Sequence, residues 1–419
     1  MAAQRTPLFP WHRSRHAAFA EFGGFEMPLW YQSAKSEHLS VLTRAGVFDT
    51  SHMSAIRVSG ADALSLLQYC FSNNIEACMG PSKKPLTPGR CVYGIFPDEN
   101  GHVLDDAICF MLAPGDFLVV INAGMGAKLA AHLDSRRGGR NAVVECLDGS
   151  FGKMDLQGPL SGQVLKKIVK DPDEVFKAMP YFSFKGGYAG LDSETPEVRL
   201  DDGTPILLSR TGYTGEFGFE IFTTADAIVP VWERILAAGE PLGIEACGLA
   251  ARDSLRAGAV LPLSHQDIGD WPFVRNPWPF ALPWARDGET FSKSFLGDRA
   301  ILAADDAPYT RPFVGYDLRK VSTPATVIDA TGSVVGKVLT CVSDMGIGRY
   351  QNRIYSIASP DKPGDFAPKG LCCGFVMTEI PLNAGETVEL KDERRKIKVV
   401  IVEDIRPDRT ARLPVKDLL

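Results

Sequence analysis

The sequence predicts a multi-domain α+β protein whose final stretch is all-β. The chain has 419 residues, more than one hydrophobic core ordinarily serves. Helical and strand periodicities alternate through its first two thirds, and beyond about Ala304 only short strand patterns between turns remain.

Helical spacing falls at 37–44 and, after Ser59-Gly60, at 61–69. Strands are predicted at 91–96 and 103–112, joined by the turn Asp98-Glu99-Asn100-Gly101, and a second turn, Ala113-Pro114-Gly115-Asp116, leads into a strand at 117–122. The middle third predicts strands at 206–210 and 219–222 around a glycine-rich turn, then helices at 228–238 and 248–256. A Trp/Pro-rich connector at 271–284 has no regular period, and 343–369, polar and carrying Pro360, Pro363 and Pro368, reads as a long surface excursion.

Hydrophobic residues at 45% and charged residues at 23% are those of a globular chain. The net charge of −6 argues against nucleic acid, whose partners carry a basic excess. No apolar run approaches the roughly 20 residues of a membrane helix, so no membrane role is expected. Nine cysteines, odd in number and without Cys-x-x-Cys spacing, read as buried reduced thiols in a cytoplasmic setting. Adjacent Cys372 and Cys373 point to opposite faces of a strand, which favours packing over a redox pair. The seven histidines do not cluster with cysteines, so no metal site is expected.

Three segments carry candidate chemistry. In the strand at 103–112, alternation places Leu104, Asp106, Ile108, Phe110 and Leu112 on one face. Asp106 is then a carboxylate on an apolar face, where desolvation raises its pKa and makes it a proton acceptor near neutrality. A carboxylate satisfied by backbone amides fits the pattern equally well. The second segment, Arg210-Thr211-Gly212-Tyr213-Thr214-Gly215-Glu216-Phe217-Gly218, has three glycines in seven residues but no Gly-Lys-Ser/Thr, so it is not a phosphate loop. Tyr213 offers a ring for stacking, and Glu220 a carboxylate suited to two parallel donors; a structural hairpin is the simpler alternative. In the third, Arg252 and Arg256 stand at i and i+4 on one helix face, an anion clamp or a solvated pair.

Taken together these segments resemble the aminomethyltransferase T-protein family of glycine cleavage. The resemblance runs in order through Phe22-Gly23-Gly24-Phe25-Glu26-Met27-Pro28-Leu29-Trp30-Tyr31, Gly46-Val47-Phe48-Asp49-Thr50-Ser51-His52-Met53, the Leu104-Asp105-Asp106 strand and Leu156-Gln157-Gly158-Pro159. It continues through the Arg-Thr-Gly-Tyr-Thr-Gly-Glu hairpin and the Ala-Arg-Asp-Ser-Leu-Arg helix, spans roughly 5–300, and persists weakly through Phe295-Leu296-Gly297 and Val335-Gly336-Lys337. Because Thr6-Pro7-Leu8-Phe9 also matches, the expectation is that no residues are left for a transit peptide.

The resemblance implies a three-domain cloverleaf around a central folate channel: a discontinuous α+β domain at 1–58 plus 150–290, an inserted α+β domain at 59–149, and a β-barrel-like domain at 305–419. It implies Asp106 as the catalytic group. Glu220 and Arg252 become pterin ligands, with Tyr93, Asn122, Tyr213 and Met53 lining the site. The family's Tyr-Tyr-Ser-Phe stretch becomes Tyr181-Phe182-Ser183-Phe184, in which Phe182 keeps ring area without a hydroxyl, and a C-terminal arginine that closes the site corresponds loosely to Arg412. The implied reaction passes an aminomethyl carbon from lipoylated H-protein to tetrahydrofolate, releasing ammonia and forming 5,10-methylenetetrahydrofolate.

The chain departs from the family at 264–284, where the link is longer, richer in Trp and Pro, and has Ala281 where glycine is expected; 343–369 is a second insertion. Both lie where a donor would enter. Two other readings therefore stand: a folate-dependent demethylase taking a small-molecule methyl donor (an amine, sulfonium or aryl ether), and a folate-binding protein without turnover. The branch of the latter kind carries Lys-Gly-Cys-Tyr-x-Gly-Gln, which is absent here.

Overall fold

The computed structural model describes residues 3–351 and 353–419. Three sheet systems dominate, each with its own apolar core. The first is six-stranded, in the order Phe184–Gly186, Leu207–Ser209, Gly218–Thr224, Phe151–Gln157, Gly46–Asp49, Glu245–Cys247, antiparallel except for the last pair. The second is a five-stranded antiparallel sheet in the order Cys91–Pro97, Val103–Ala113, Asp116–Ile121, Ser54–Ser59, Val143–Cys146. The third is a closed barrel of Tyr309–Gly315, Leu371–Thr378, Val334–Asp344, Thr326–Ile328, Thr387–Lys391 and Lys396–Ile401.

Two-residue alternation decides where the first sheet turns its polar groups. Along Phe151–Gln157, Met154 and Leu156 enter a core with Trp232 and Ile235 of the helix Ile228–Gly239. The opposite face carries Lys153, Asp155 and Gln157, all fully buried. This polar face looks toward the middle of the molecule. On the second sheet, Ala107 and Cys109 pack under the helices Ala63–Cys70 and Gly126–Arg136. Phe110 and Leu112 point outward and meet Phe184, Leu207 and Phe222 of the first sheet. Asp106 belongs to this outward face, so the apolar surface read from sequence is an interface between two sheets.

Ser54–Ser59 pairs with Asp116–Ile121 and Val143–Cys146, so the second sheet begins near residue 54. The 343–369 segment is more than a surface excursion. It opens inside the barrel strand Val334–Asp344 and contains the hairpin Ile347–Tyr350/Arg353–Ser356. Asp344 and Ile347 are fully buried, because Asp344 takes hydrogen bonds from His38 at 2.9 Å and Arg406 at 2.5 Å. That network joins the helix Ala34–Thr43, the barrel and the C-terminal segment. Among the described residues, no helix is long and apolar enough to cross a membrane.

Candidate active site

A cavity of about 540 Å³ lies where the two open sheets, the helix Leu249–Gly258 and the barrel strand Val334–Asp344 converge, a volume suited to a small organic ligand. Five of the residues singled out in the sequence line it: Met53, Asn122, Tyr213, Arg252 and Arg256.

Arg252 is fixed by the polar face of the first sheet. Its guanidinium donates to Asp155 at 2.7 Å and lies 4.8 Å from the centre of the Tyr213 ring. Glu220 and Asp155 stand directly opposite in the strand pairing, which for two like charges is destabilising. Lys153 resolves the conflict, with its ammonium 2.5 Å from Asp155 and 3.1 Å from Glu220. Burial opposes ionisation of Asp155, but Lys153 and Arg252 outweigh it and hold its pKa below the usual carboxylate value. Glu220 and Arg252 thus belong to one buried chain of charges, yet only Arg252 reaches the cavity wall. Glu220 is 5% exposed, its oxygens taken by Lys153 and by the Thr211 hydroxyl at 2.7 Å.

The glycines of the hairpin have a local cause. A Cβ at Gly212 or Gly218 would fall within 2.7 Å of the Gln157 amide, which donates to Thr211 and Phe219 carbonyls at 3.2 and 3.1 Å. Gly215 takes a positive φ of 76°. Tyr213 donates its hydroxyl to the Pro262 carbonyl, and with Arg252 against its ring it is a braced wall.

Asp106 stands one residue behind the lining. Asn122 divides its amide between the two acids, donating to Asp105 at 2.7 Å and to Asp106 at 2.6 Å. Its backbone N–H also donates to Asp105 at 2.9 Å, and Tyr93 donates its hydroxyl to Asp106 at 2.8 Å. Burial first, and the neighbouring charge of Asp105 second, push the Asp106 carboxyl up to about 6, against the hydrogen bonds from Tyr93 and Asn122. Asp105 is the more buried of the two, at 0% exposure.

Tyr181, Phe182 and Arg412 do not line this cavity. Arg412 lies 5.8 Å from the Tyr181 ring, which meets Phe182 edge-on at 4.8 Å; this cluster sits beside the C-terminal segment. Arg256 corrects the solvated-pair alternative, since it is fully buried and bonded to Asp267 and Asp253.

The model of the GCVT N-terminal domain matches residues 8–272. The chain belongs to the GCVT family. The aminomethyltransferase of Bacillus cytotoxicus is 34% identical over 324 residues, covering 77% of this chain and 81% of that one. The aminomethyltransferase of Geobacillus thermodenitrificans is 35% identical over 339 residues, covering 80% and 86%. The crystal structure of glycine cleavage system aminomethyltransferase T from Bartonella henselae shares the fold, with a TM-score of 0.73 over 98% of both chains at 24% identity. The resemblance, the α+β class with its terminal barrel, and the enzymatic reading all stand on these likenesses.

Sequence reasoning missed four contributors in this GCVT member. Lys153 and Asp155 lie in a strand whose polar residues read as ordinary alternation, and only the pairing with Glu220 reveals the charge chain. His265 stands in the divergent 264–284 link with a left-handed φ of 63°, its Nε2 3.6 Å from Asp105. The neighbouring Asp105 carboxylate raises its pKa, against burial. His52 lines the cavity beside Met53, and burial pushes its imidazole down to about 4, which keeps it neutral.

Proposed function

We propose that the protein transfers an aminomethyl carbon from lipoylated H-protein to tetrahydrofolate, releasing ammonia and forming 5,10-methylenetetrahydrofolate. Membership of the GCVT family supports the reaction class. The single observation that carries the mechanism is the Asp105–Asp106 pair, gripped by Asn122 from the cavity wall.

Asp106, with a carboxyl titrating at about 6, is mostly ionised at neutral pH and still basic enough to accept a proton. Tyr93 and Asn122 fix both of its oxygens, so it orients the reacting groups without reorganising. Arg252 presents a guanidinium to the ligand from a position braced by Asp155 and Tyr213. Glu220 is assigned to the pterin's paired donors, which it meets by giving up its bond from Thr211. Met53 supplies apolar wall, and Tyr181, Phe182 and Arg412 are assigned to an outer position that ligand binding draws inward. The three separate cores support reading the chain as three domains with limits near 53, 149 and 305. All nine cysteines are free thiols, which supports the cytoplasm as the working compartment.

A second reading has one observation in its favour. Phe280, 53% exposed, lies 5.6 Å from the Tyr93 ring, whose hydroxyl donates to Asp106. Two aromatic faces at that point suit a small methylated cation. One experiment separates the two readings. The enzyme is incubated with tetrahydrofolate and either lipoyl-aminomethyl H-protein or methylated amines and sulfonium compounds, and ammonia and 5-methyltetrahydrofolate are both measured. Ammonia formed only with the H-protein supports aminomethyl transfer; 5-methyltetrahydrofolate formed from a free methyl donor overturns it.

A further inference from the structure

The turn at 263–267, in the divergent link, aims one side chain at the carboxylate pair. Asp267, 0% exposed, accepts the Leu263 backbone N–H at 3.0 Å and is bonded to Arg256. Gln266 donates to the Thr340 hydroxyl at 2.6 Å. The turn is thus clamped to the helix Leu249–Gly258 and to the barrel strand Val334–Asp344. Beside those anchors His265 is held at a φ of 63°, a conformation uncommon outside glycine that persists only where the surroundings dictate it.

His265 spans the boundary between the pair and solvent. Its Nε2 is 3.6 Å from Asp105 Oδ1, and 49% of its side chain is exposed, against 0% for Asp105. The other partners of the two acids are Asn122, which does not titrate, and Tyr93, whose hydroxyl is pushed well above its usual value by burial. The charges facing His265 are Asp105 and Asp106 of the strand Val103–Ala113 and Lys128 of the helix Gly126–Arg136. The Asp105 carboxylate raises the imidazole pKa, against burial and Lys128, so a proton passes downhill to it from a carboxyl titrating at about 6. Aminomethyl transfer needs such traffic, because it breaks two N–H bonds of the folate and makes one new bond to hydrogen at nitrogen and one at sulfur.

We propose that His265 is the proton-exchange group of the Asp105–Asp106 pair, passing protons between Asp105 and bulk solvent. The proposal rests on the aminomethyl-transfer reading and deepens it. In each exchange the O–H bond of the protonated carboxyl breaks and Nε2–H forms, through one bridging water because 3.6 Å is too long for a direct bond. The imidazolium then gives its Nδ1 proton to solvent, and the pair is left ionised for the next turnover. His265 lies outside the cavity lining, so it acts through Asp105 and not on the substrate.

The test is kcat of the full-length wild type, His265→Asn and Asp106→Asn at pH 7 in dilute buffer, with and without added imidazole. His265→Asn should lose about 10- to 100-fold, up to the low end of the range for a positioned acid–base group. Imidazole should restore its activity in proportion to concentration, while KM for tetrahydrofolate and the unfolding midpoint stay at wild-type values. A loss under about threefold, a loss that imidazole does not relieve, or an equal gain with imidazole in the wild type or in Asp106→Asn overturns the proposal. If the wild type transfers no aminomethyl group, the functional reading fails on its own. The exchange pair is then judged by NMR titration of the His265 ring in the wild type and in Asp105→Asn. A downward shift in the variant keeps the pair for whichever transfer the enzyme performs, and an unmoved titration overturns it.

Discussion

Replacing Asp106 by asparagine keeps the size of the side chain and its place between Tyr93 and Asn122 while removing the proton acceptor. With the carboxyl titrating at about 6, about 90% is ionised at pH 7 and about 10% at pH 5, one pH unit being one decade in protonation ratio. Wild-type kcat/KM should therefore fall roughly tenfold between those two values if the carboxylate is the working form. Asp106→Asn should lose about 10²- to 10⁴-fold in kcat, the range for a positioned acid–base group, and its remaining activity should show no acid limb near pH 6. The assay is 5,10-methylenetetrahydrofolate formation followed from pH 5 to 8, with tetrahydrofolate affinity measured in parallel. The proton belongs to the Asp105–Asp106 pair, so Asp105→Asn, which removes the neighbouring negative charge, should move the limb to lower pH. An Asp106→Asn enzyme with more than about a tenth of wild-type kcat, or with the wild-type limb intact, would refute the reasoning.

Lys153→Met leaves buried Asp155 and Glu220 facing each other with Arg252 as their remaining cation; breaking a buried pair in this way costs about 3–5 kcal/mol, measurable by urea unfolding, and a loss under about 1 kcal/mol would count against the charge chain. His265 has a raised pKa, so its charge helps Asp106 ionise below that pKa and is lost as pH rises through it. His265→Asn, which tolerates the left-handed backbone, should accordingly shift the acid limb of kcat/KM upward; an unmoved limb removes His265 from the site. Trp278→Ala, which deletes a ring 1% exposed, its bond to the Val260 carbonyl at 2.9 Å and its edge contact with Phe375, should cost about 3–5 kcal/mol in thermal or urea unfolding. A loss below about 1 kcal/mol would mean that the 264–284 strap is not packed as described.

Short-range rules made much of this architecture legible. The turn at 98–101 and the alternation around Asp106 each depend on residues a few positions apart, and strands lie where those rules place them. The conversion of the 343–369 excursion into a packed element was not legible, because Asp344 is buried only through His38 and Arg406, each more than 50 positions away in sequence. Lys153 and Asp155 look like solvent-facing polar residues until Gly218–Thr224 is paired against them. His265 was hidden for a different reason: its strand partner is chosen by the irregular strap around it, which has no period to read.

By itself, then, the sequence determined the element types, the carboxylate pair, the glycine-rich hairpin and membership of a folded α+β class, since all of these follow from local conformational preference and side-chain spacing. Tertiary structure alone decided which face of each strand looks into the centre, which cation neutralises which acid, and which of the named residues reach the cavity wall. The reason is that a charge's environment is set by whatever packs against it from distant parts of the chain. Glu220 illustrates this, being turned away from the cavity by Lys153 and Thr211 although its position in the hairpin promised otherwise.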